Sequence, residues 1–585
     1  MTMPELPTAV PELPLSAEAQ RTRVATPDFA RFLNVEHGVI GRTVSTKFEP
    51  NTSSRFLFWL GDQEKVGGGR GESGGLEIGN IVAARATDDD DVTFGTVVEM
   101  RSYSDVDSFI ADYLSHNFGD ASVEIPTDVS EVVVVTCEVM RNLCGKTKPI
   151  GSSQVYYPSS LGIEFSYGIV DAEGNKVFTG AAAAIPIGLF ENGDGTVAPI
   201  SVDEDFLVGP ESAHLNVSGI SGLAAKTSAV EFILKSLVIH TGKRLAVVMF
   251  NVKSRDLLYV DQANPQVQDD AWSMDAYKAL DVPPEPFKRV RFFAPGHATD
   301  PNRTQSLRTL PTTRFSWDLQ LIKNDIPSLF DSEDWDDKME GVWFRIADEI
   351  DQRPLNTYGT MLTWIEQLIR QAVQQQNMYP QGHHVATWQK MRSRLARFPR
   401  AYAGLILNAG QGSDIPWSTL NDDSVFVIDI QMLADRAKKL VFGRAMREIS
   451  ELMEDEHTQL DAVVVFVDEL NKFAPSGSVR TPLKSRLIDI TARGRSIGVV
   501  LFGAEQFASS VEKEIVENST TFLFGRTEAN ELRAPNYSGF SDEVKAKLSM
   551  LPQGQLLAKS AKYPQPIFVR FPFPPCLAGD KYGGV

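Results

Sequence analysis

The chain has 585 residues, of which 42% are hydrophobic and 23% charged, and its formal net charge at pH 7 is −19. This balance excludes wholesale disorder, and the length predicts several domains with sizeable cores. The acidity excludes a uniformly basic coat for nucleic acid, although a local basic channel stays compatible with it. The sequence contains no apolar run of about 18 residues, so we expect no membrane-spanning helix.

The first third of the sequence predicts β structure. After a flexible arm over residues 1–30, we expect a β-barrel over residues 31–200, because short runs of β-branched and aromatic residues alternate with turn signals. The glycine-rich stretch 66–79 has no clear helix after it, which favours a hairpin loop over a phosphate-binding loop. The predicted strands are 38–44, 54–60, 78–86, 92–102, 131–141 and 162–180.

The pattern changes near Ser201 to strands that alternate with helices, which predicts an α/β fold with a mainly parallel sheet. Several of these strands are apolar on both faces, as strands covered by helices on each side must be. We expect the core to occupy residues 201–258 and 417–565, with an inserted helical subdomain over 259–416 and a C-terminal arm over 566–585. The predicted core strands are 214–218, 245–252, 425–430, 462–467, 498–502 and 521–524.

The inserted segment has one clear helical pattern and an uneven charge distribution. Residues 324–349 are rich in acids, whereas residues 286–314 and 380–400 are rich in bases. Such runs are usually solvated faces; the alternative is that these basic stretches, or Lys253 and Arg255, face DNA. The apolar stripe that predicts the helix, at a period of 3.6, consists of Met361, Trp364, Ile365, Leu368, Ala372 and Val373.

A phosphate-binding loop is predicted where the strand 214–218 leads through a glycine-containing loop to Lys226-Thr227 and an amphipathic helix. Backbone N–H groups and the helix N-terminus would hold phosphate, Lys226 would reach the β- and γ-phosphates, and the Thr227 hydroxyl would bind Mg²⁺. The usual motif has glycine where Ala225 and Ile220 stand, so the loop is one residue longer or shifted. The candidate binding residues are Gly219, Ser221, Gly222, Ala225, Lys226, Thr227 and Ser228.

Two further strands end in polar side chains that suit the same chemistry. The run 462–467 is followed by Asp468 and Glu469, a pattern in which Asp468 would hold Mg²⁺ and Glu469 would polarise the attacking water. The run 498–502 leads to Gln506, a candidate for sensing the γ-phosphate and positioning water. A strand that merely ends in acids or amides is the alternative for each motif taken alone.

Three arginines follow these motifs and are candidate catalytic residues. Arg493 and Arg495 precede the strand 498–502, and Arg526 follows the strand 521–524. An arginine from one subunit that reaches the nucleotide of its neighbour raises turnover by about 10³–10⁵. A surface salt bridge is the alternative for any one of them.

Together these residues resemble the HerA branch of the HerA/FtsK family of hexameric P-loop ATPases. The resemblance rests on the barrel before the P-loop, Asp468-Glu469 followed by Asn471-Lys-Phe-Ala-Pro475, the stretch Ala492-Arg-Gly-Arg-Ser-Ile-Gly498, and the strand-end Gln506. It implies a RecA-like core, ATP and Mg²⁺ as cofactors, six-membered rings, and translocation on double-stranded DNA with a partner nuclease such as NurA or another effector. It also implies the roles assigned above to Lys226, Thr227, Asp468, Glu469 and Gln506, with Arg493 or Arg495 acting in trans.

The sequence therefore predicts an ATP-driven ring translocase that acts in DNA end processing or anti-phage defence. The main alternative is an ATP-dependent scaffold that assembles and regulates a partner enzyme with little translocation; a coupling ATPase for conjugation or secretion would normally have a membrane anchor. The cysteines, Cys137, Cys144 and Cys576, have no metal or redox spacing, which fits the cytoplasm.

Overall fold

The computed structural model describes residues 28–61, 75–87, 91–104, 110, 113, 131–177, 183–210, 212–220, 222, 225–300, 302–330, 335–353, 355–477 and 481–579. Most of the predicted arm, much of the glycine-rich stretch 66–79 and the end of the predicted strand 162–180 lie outside these ranges.

The N-terminal region forms a closed six-stranded barrel, as the sequence predicts, with strand order β1-β2-β5-β4-β3-β6 and antiparallel pairing throughout. Strand β2 shows why: Phe56, Phe58 and Leu60 alternate into the barrel core, whereas Trp59 is 40% exposed. The strands are β1 (Gly41–Val44), β2 (Arg55–Leu60), β3 (Ile81–Ala86), β4 (Val92–Ser104), β5 (Glu131–Asn142) and β6 (Ser153–Tyr156).

The predicted strand 162–180 is wrong at its start, because a helix, α1 (Ser160–Ser166), occupies that position. Ser159 caps this helix, since its hydroxyl accepts a hydrogen bond from the Gly162 N–H at 3.2 Å. The aromatic residue that suggested a strand, Phe165, packs instead against Phe94 with ring centroids 5.5 Å apart. Burial against the barrel therefore outweighs the local β preference.

The remaining strands form one twelve-stranded sheet in the order β12-β11-β13-β10-β14-β15-β9-β16-β17-β18-β7-β8. Pairing is parallel from β12 to β16 and antiparallel from β16 to β8. The strands are β7 (Ala184–Glu191), β8 (Val197–Asp203), β9 (Leu215–Ser218), β10 (Leu245–Asn251), β11 (Arg289–Pro295), β12 (Thr313–Phe315), β13 (Ser424–Asp429), β14 (Ala462–Asp468), β15 (Val499–Glu505), β16 (Thr521–Phe524), β17 (Gln555–Ser560) and β18 (Ile567–Arg570).

Three features of this sheet differ from the expected boundaries. Strands β7 and β8 belong to the sheet rather than to a barrel that extends to residue 200. Strands β11 and β12 come from the inserted segment and extend the sheet at its parallel edge. Strand β18 opens the segment expected to be a C-terminal arm and pairs with β17 and β7.

Helices cover both faces of the sheet. Strand β10 is buried along its whole length, and its side chains alternate between two cores: Val247 faces the core that contains Phe232, and Val248 faces the core that contains Phe442. The further helices are α2 (Glu204–Leu207), α3 (Lys226–His240), α4 (Pro265–Asp269), α5 (Ala271–Ala279), α6 (Leu319–Ile322), α7 (Asp337–Gln352), α8 (Tyr358–Gln374), α9 (Val385–Leu395), α10 (Phe398–Ala401), α11 (Asp435–Glu454), α12 (Pro482–Ile497), α13 (Lys513–Glu517) and α14 (Asp542–Ser549). Short 3₁₀ helices span Phe29–Phe32, Asp256–Tyr259, Ile326–Leu329, Pro380–Gly382, Trp417–Thr419, Leu470–Lys472, Ala508–Ser510, Glu531–Arg533 and Pro535–Tyr537.

The inserted segment is helical between β12 and β13 and packs on the face that carries α11. In α8, Met361, Ile365 and Ala372 of the predicted stripe are buried, but Val373 is 60% exposed and lies outside it. A buried ion-pair cluster joins α11 to the insertion: Arg444 donates to Asp325 at 2.7 Å and to Asp414 at 3.1 Å.

The residues after β18 pack against an earlier segment of the same chain, near residues 262–264. Asn264 donates through its side-chain amide to the Pro574 carbonyl at 3.0 Å, and the Leu577 N–H donates to the Gln262 carbonyl at 2.9 Å. Cys576 is fully buried beneath them. Over the described ranges, none of the helices combines the length and the apolar character needed to cross a membrane.

Candidate functional site

Four parallel strands bring the predicted site residues to one edge of the sheet. The register aligns Ser218 of β9 with Glu505 of β15, and Asp468 of β14 with Ala504 of β15. Strand β10 runs parallel beside β14 and ends at Asn251. Ligand sites of open α/β sheets lie outside the carboxyl ends of such strands.

The loop between β9 and α3 is held in place by its neighbours. The Gly219 N–H donates to the Glu505 carbonyl at 3.3 Å, and the Ile220 N–H donates to the Arg526 carbonyl at 2.9 Å. Gly219 and Gly222 both have positive φ, of 149° and 80°. Ser221 lies outside the described residues, and so do residues 223 and 224.

Ala225 directly precedes α3 in the left-handed conformation, with φ 47° and ψ 38°, and makes no side-chain cap. Glycine adopts this conformation at the least cost, which gives a physical reason for the glycine of the usual motif. A left-handed residue next to right-handed ones turns successive N–H groups toward one point and forms a concave anion site. The uncapped N-terminus of α3 adds its partial positive charge. Ala225 thus adopts a backbone geometry suited to phosphate although it is not glycine.

Lys226 is the buried cation of the site. Its side chain folds back over the loop, where Nζ donates to the Gly219 carbonyl at 2.6 Å, and the residue is only 8% exposed. Burial lowers the pKa of Lys226, and the carboxylates of Asp468 and Glu505 act in the opposite direction. If a phosphate oxygen took the place of the Gly219 carbonyl, the ammonium of Lys226 would donate to a charged acceptor instead of a neutral one.

Asp468 is the last residue of β14, and its carboxylate accepts a hydrogen bond from the Glu469 N–H at 3.0 Å. Burial raises the pKa of Asp468, Lys226 opposes that effect, and the neighbouring acids Glu469 and Asp256 add to it. The carboxylate is therefore short of positive charge, which a bound cation would supply.

Glu469 has a left-handed backbone, with φ 62°, and its carboxylate is held by two lysines. Oε1 lies 2.6 Å from Nζ of Lys253, and Oε2 lies 2.6 Å from Nζ of Lys472. Burial acts to raise the pKa of Glu469, but the two lysines together outweigh it and lower the pKa below its ordinary value. Lys253, a candidate DNA contact from the sequence, therefore pairs with the predicted catalytic acid.

These side chains share one cavity of about 300 Å³, which we call the phosphate cavity. Its walls come from the start of α3, the ends of β10, β14 and β15, and two C-terminal residues. They include Gly222, Ala225, Lys226, Thr227, Ser228, Glu231, Lys253, Ser254, Asp256, Asp468, Glu469, Gln506, Gln553 and Ala578. The structure thus brings five of the predicted loop residues together with the two acids and the strand-end glutamine, whereas Gly219 does not line the cavity and Ser221 lies outside the described residues.

Oxygen donors suited to Mg²⁺ lie on this wall. Thr227 contributes a hydroxyl and Asp468 a carboxylate, and Mg²⁺ in such sites takes one or two protein oxygens and completes its shell with phosphate and water. Within the described ranges, no group of three or more His, Cys, Asp or Glu side chains is arranged to hold a metal. The donor set therefore fits a phosphate-bound Mg²⁺ rather than a separate protein cage.

Of the predicted arginines, the two whose side chains the structure describes, Arg493 and Arg526, do not line this cavity. Arg493 is exposed on α12 and pairs with Asp489 at 3.7 Å, and the side chain of Arg495 on the same helix lies outside the described part of the structure. Arg526 donates from Nε to the carbonyl of Ser549, the last residue of α14, at 3.1 Å. Action on a neighbouring subunit stays a prediction for all three.

The sequence did not lead us to several residues of the site: besides Glu231, Ser254 and Asp256 of the wall, they include Lys472, Glu505, Gln553 and Ala578. Lys472 follows Glu469 by three positions, a spacing that signals an ion pair on a helical turn. Glu505 is fully buried below the loop, and burial raises its pKa well above the ordinary value while Lys226 opposes this; its position next to Gln506 was the available signal. Gln553, whose Nε2 donates to the Gly222 carbonyl at 3.2 Å, and Ala578 have no local signal.

No protein-family model matches the sequence, and a search of curated proteins finds no match. Among solved structures, VirB4 of Thermoanaerobacter pseudethanolicus is similar at 15% identity over 66% of this chain and 96% of that chain, with a TM-score of 0.41. The plasmid coupling protein TrwB in complex with ADP and Mg²⁺ is similar at 11% identity over 63% and 86%, with a TM-score of 0.41. The genome packaging NTPase B204 from Sulfolobus turreted icosahedral virus 2, in complex with ATP-gammaS, is similar at 17% identity over 26% and 69%, with a TM-score of 0.20. At these identities and TM-scores the likeness establishes neither the fold nor the function, and both have to be argued from the residues of this chain.

Proposed function

We propose that this chain is a P-loop ATPase with a RecA-like core that acts as a HerA-type ring motor on double-stranded DNA. One observation carries the ATPase part: Lys226, Thr227, Asp468, Glu469 and Gln506, which come from three separate segments, line one cavity at the carboxyl edge of the parallel strands. The residue types match the needs of phosphoryl transfer, in which positioning and charge stabilisation supply most of the catalysis.

ATP binding would use the loop and the start of α3. The N–H groups around Ala225 cradle the phosphates, and Lys226 exchanges its hydrogen bond to the Gly219 carbonyl for a phosphate oxygen. Thr227 and Asp468 would hold Mg²⁺, which when bound supplies positive charge beside the phosphates. Burial lowers the pKa of Lys226 and raises that of Asp468, so a phosphate beside the lysine and Mg²⁺ beside the carboxylate would each favour the charged form, which supports this assignment.

Hydrolysis would depend on Glu469 and Gln506. Glu469 stays ionised because Lys253 and Lys472 lower its pKa, and the carboxylate orients the attacking water. Gln506 senses the γ-phosphate from the end of β15. An arginine of a neighbouring subunit, Arg493, Arg495 or Arg526, completes the site in a six-membered ring.

We propose further that opening and closing of the subunit interfaces moves duplex DNA through the ring, with a NurA-like nuclease or another effector as partner, in DNA end processing or anti-phage defence. The basic stretch 380–400, with five Lys or Arg residues and no acid, is a candidate DNA contact. Such contacts act through phosphates, so binding is expected to weaken steeply with salt. We expect the protein in the cytoplasm.

A scaffold that binds ATP to hold a partner enzyme is the second candidate. Two observations favour it: alanine replaces the usual glycine at Ala225, and the net charge of −19 opposes a strong hold on DNA. In this case nucleotide binding persists while DNA leaves turnover unchanged.

The test is ATP hydrolysis by the full chain with and without long duplex DNA. Lys226→Ala and Glu469→Gln should each lower turnover by about 100-fold or more, whereas Lys278→Ala, a change of a 75% exposed side chain on α5, should leave it unchanged. DNA-stimulated turnover that both site variants abolish supports the motor. Turnover that ignores DNA favours the scaffold, and equal turnover in all variants refutes the ATPase site.

A further inference from the structure

A second cavity adjoins the phosphate cavity at the start of α3. Its volume is about 250 Å³, and four residues line both cavities: Ala225, Ser228, Gln553 and Ala578. We call it the side cavity. Its remaining wall comes from α4, α5, Gly554, the end of β18 and the segment after β18, none of which bears a phosphate-binding motif.

Two aromatic side chains stand out on this wall. Trp272 of α5 lies under the guanidinium of Arg570, whose Cζ is 3.6 Å from the indole ring centroid. Phe573 is 46% exposed, although it belongs to a segment that is otherwise largely buried. The side cavity therefore offers flat, apolar and cationic surfaces beside a site for phosphate.

The backbone of Phe573 is fixed on both sides. Its N–H donates to the Ser273 hydroxyl at 3.1 Å, and its carbonyl accepts from the Tyr277 hydroxyl at 2.7 Å. A phenylalanine anchored this firmly, with its ring left exposed in a cavity, loses little further freedom when a flat ligand covers it.

We propose that the side cavity binds the nucleoside of the triphosphate whose phosphates lie at Lys226, with the base stacked on the Trp272–Arg570 pair and covered by Phe573. This inference rests on the proposed ATPase function. In this arrangement the phosphates of the ligand lie in the phosphate cavity. The side cavity, which would hold the nucleoside, shares Ala225 and Ser228 with it at the start of α3. Aromatic rings and guanidinium planes both stack on bases. The segment after β18 thereby forms part of the nucleotide site of its own chain.

Calorimetric titration of the full chain with ADP and with inorganic triphosphate distinguishes binding of the nucleoside from binding of the phosphates, because only ADP carries a nucleoside. Phe573→Ser and Trp272→Leu should each weaken ADP binding about tenfold, since the stacking of one base on an aromatic side chain is typically worth that factor or more. Both should leave triphosphate binding unchanged, whereas Lys226→Ala weakens both ligands. Because Trp272 also packs against buried residues, the exposed Phe573 provides the test that is independent of the core.

Phe344→Ser serves as the matched control, because Phe344 is a 62% exposed phenylalanine on α7, outside both cavities. ADP affinity that is equal in the wild type and in both aromatic variants overturns the side-cavity assignment and leaves the phosphate site intact. Failure of the wild type to bind either ligand refutes the proposed ATPase function itself.

Discussion

Replacing Ala225 by glycine tests whether the loop has the backbone geometry described above. The left-handed conformation costs a residue with a Cβ roughly 1–2 kcal/mol, and glycine removes that cost. Two effects act against this gain. Glycine makes the unfolded chain more flexible, which lowers the free energy of unfolding by about 0.5–1 kcal/mol. Loss of the partly buried methyl group lowers it further by about 0.4 kcal/mol, half of the full burial value. Together these contributions range from about −0.4 to about +1.1 kcal/mol, so Ala225→Gly should leave the free energy of unfolding nearly unchanged or raise it by up to about 1 kcal/mol.

A matched Ala→Gly change in a helix gives the opposite result if this reasoning holds. Ala347 lies in the middle of α7 and is half-buried, and glycine there should destabilise by about 1 kcal/mol. Urea denaturation of the wild type and the two variants, followed by intrinsic fluorescence, measures both values. If Ala225→Gly destabilises the protein as much as Ala347→Gly does, the left-handed conformation and the anion site built on it are refuted.

Three other changes address the charges of the structure. Lys253→Met removes one of the two lysines that lower the pKa of Glu469, so the acid limb of the pH–kcat profile should move to higher pH; an unchanged limb contradicts this role. Burial raises the pKa of Glu505, so its ionisation costs stability as pH rises above about 4.3, the unfolded value. Glu505→Gln should therefore raise the free energy of unfolding more at pH 8 than at pH 5; an equal effect at the two pH values would contradict this reasoning. Arg444→Leu removes the arginine partner of Asp414 and one of the two arginine partners of the buried Asp325, and it should lower the free energy of unfolding in urea by about 3 kcal/mol; a loss below about 1 kcal/mol would show that the cluster is not stabilising.

The site residues that the sequence predicts are those at the ends of strands. Asp468, Glu469 and Gln506 each follow an apolar run, and in a parallel sheet the carboxyl ends of such runs meet at one edge. Lys226 was predictable for a related reason, since a lysine at a helix start after a glycine-containing loop is typical of a phosphate-binding site. The environment of these residues was not predictable, because the pKa shifts arise from burial and from lysines elsewhere in the chain.

Two predictions about elements failed for physical reasons that involve packing. The apolar residues of 160–166 suit a strand by composition, but they form a helix because Ser159 caps it and the barrel buries its face. Strands β7 and β8 lie at the end of the range 31–200 expected to form the barrel, yet they pair with the core through β18. Local composition predicts that a segment pairs in a sheet without specifying which sheet.

The alternation of strands and helices, the N-terminal barrel and the order of the phosphate-site motifs can be read from the amino-acid sequence, because they depend on periodicity and on residues close together in the chain. The contact of Lys253 with Glu469 and the approach of C-terminal residues to the phosphate loop follow from tertiary packing instead. Gln553 contacts Gly222 across 331 positions of sequence. Such a contact is chosen by the packing of the whole sheet, and neither partner carries a local signal of it.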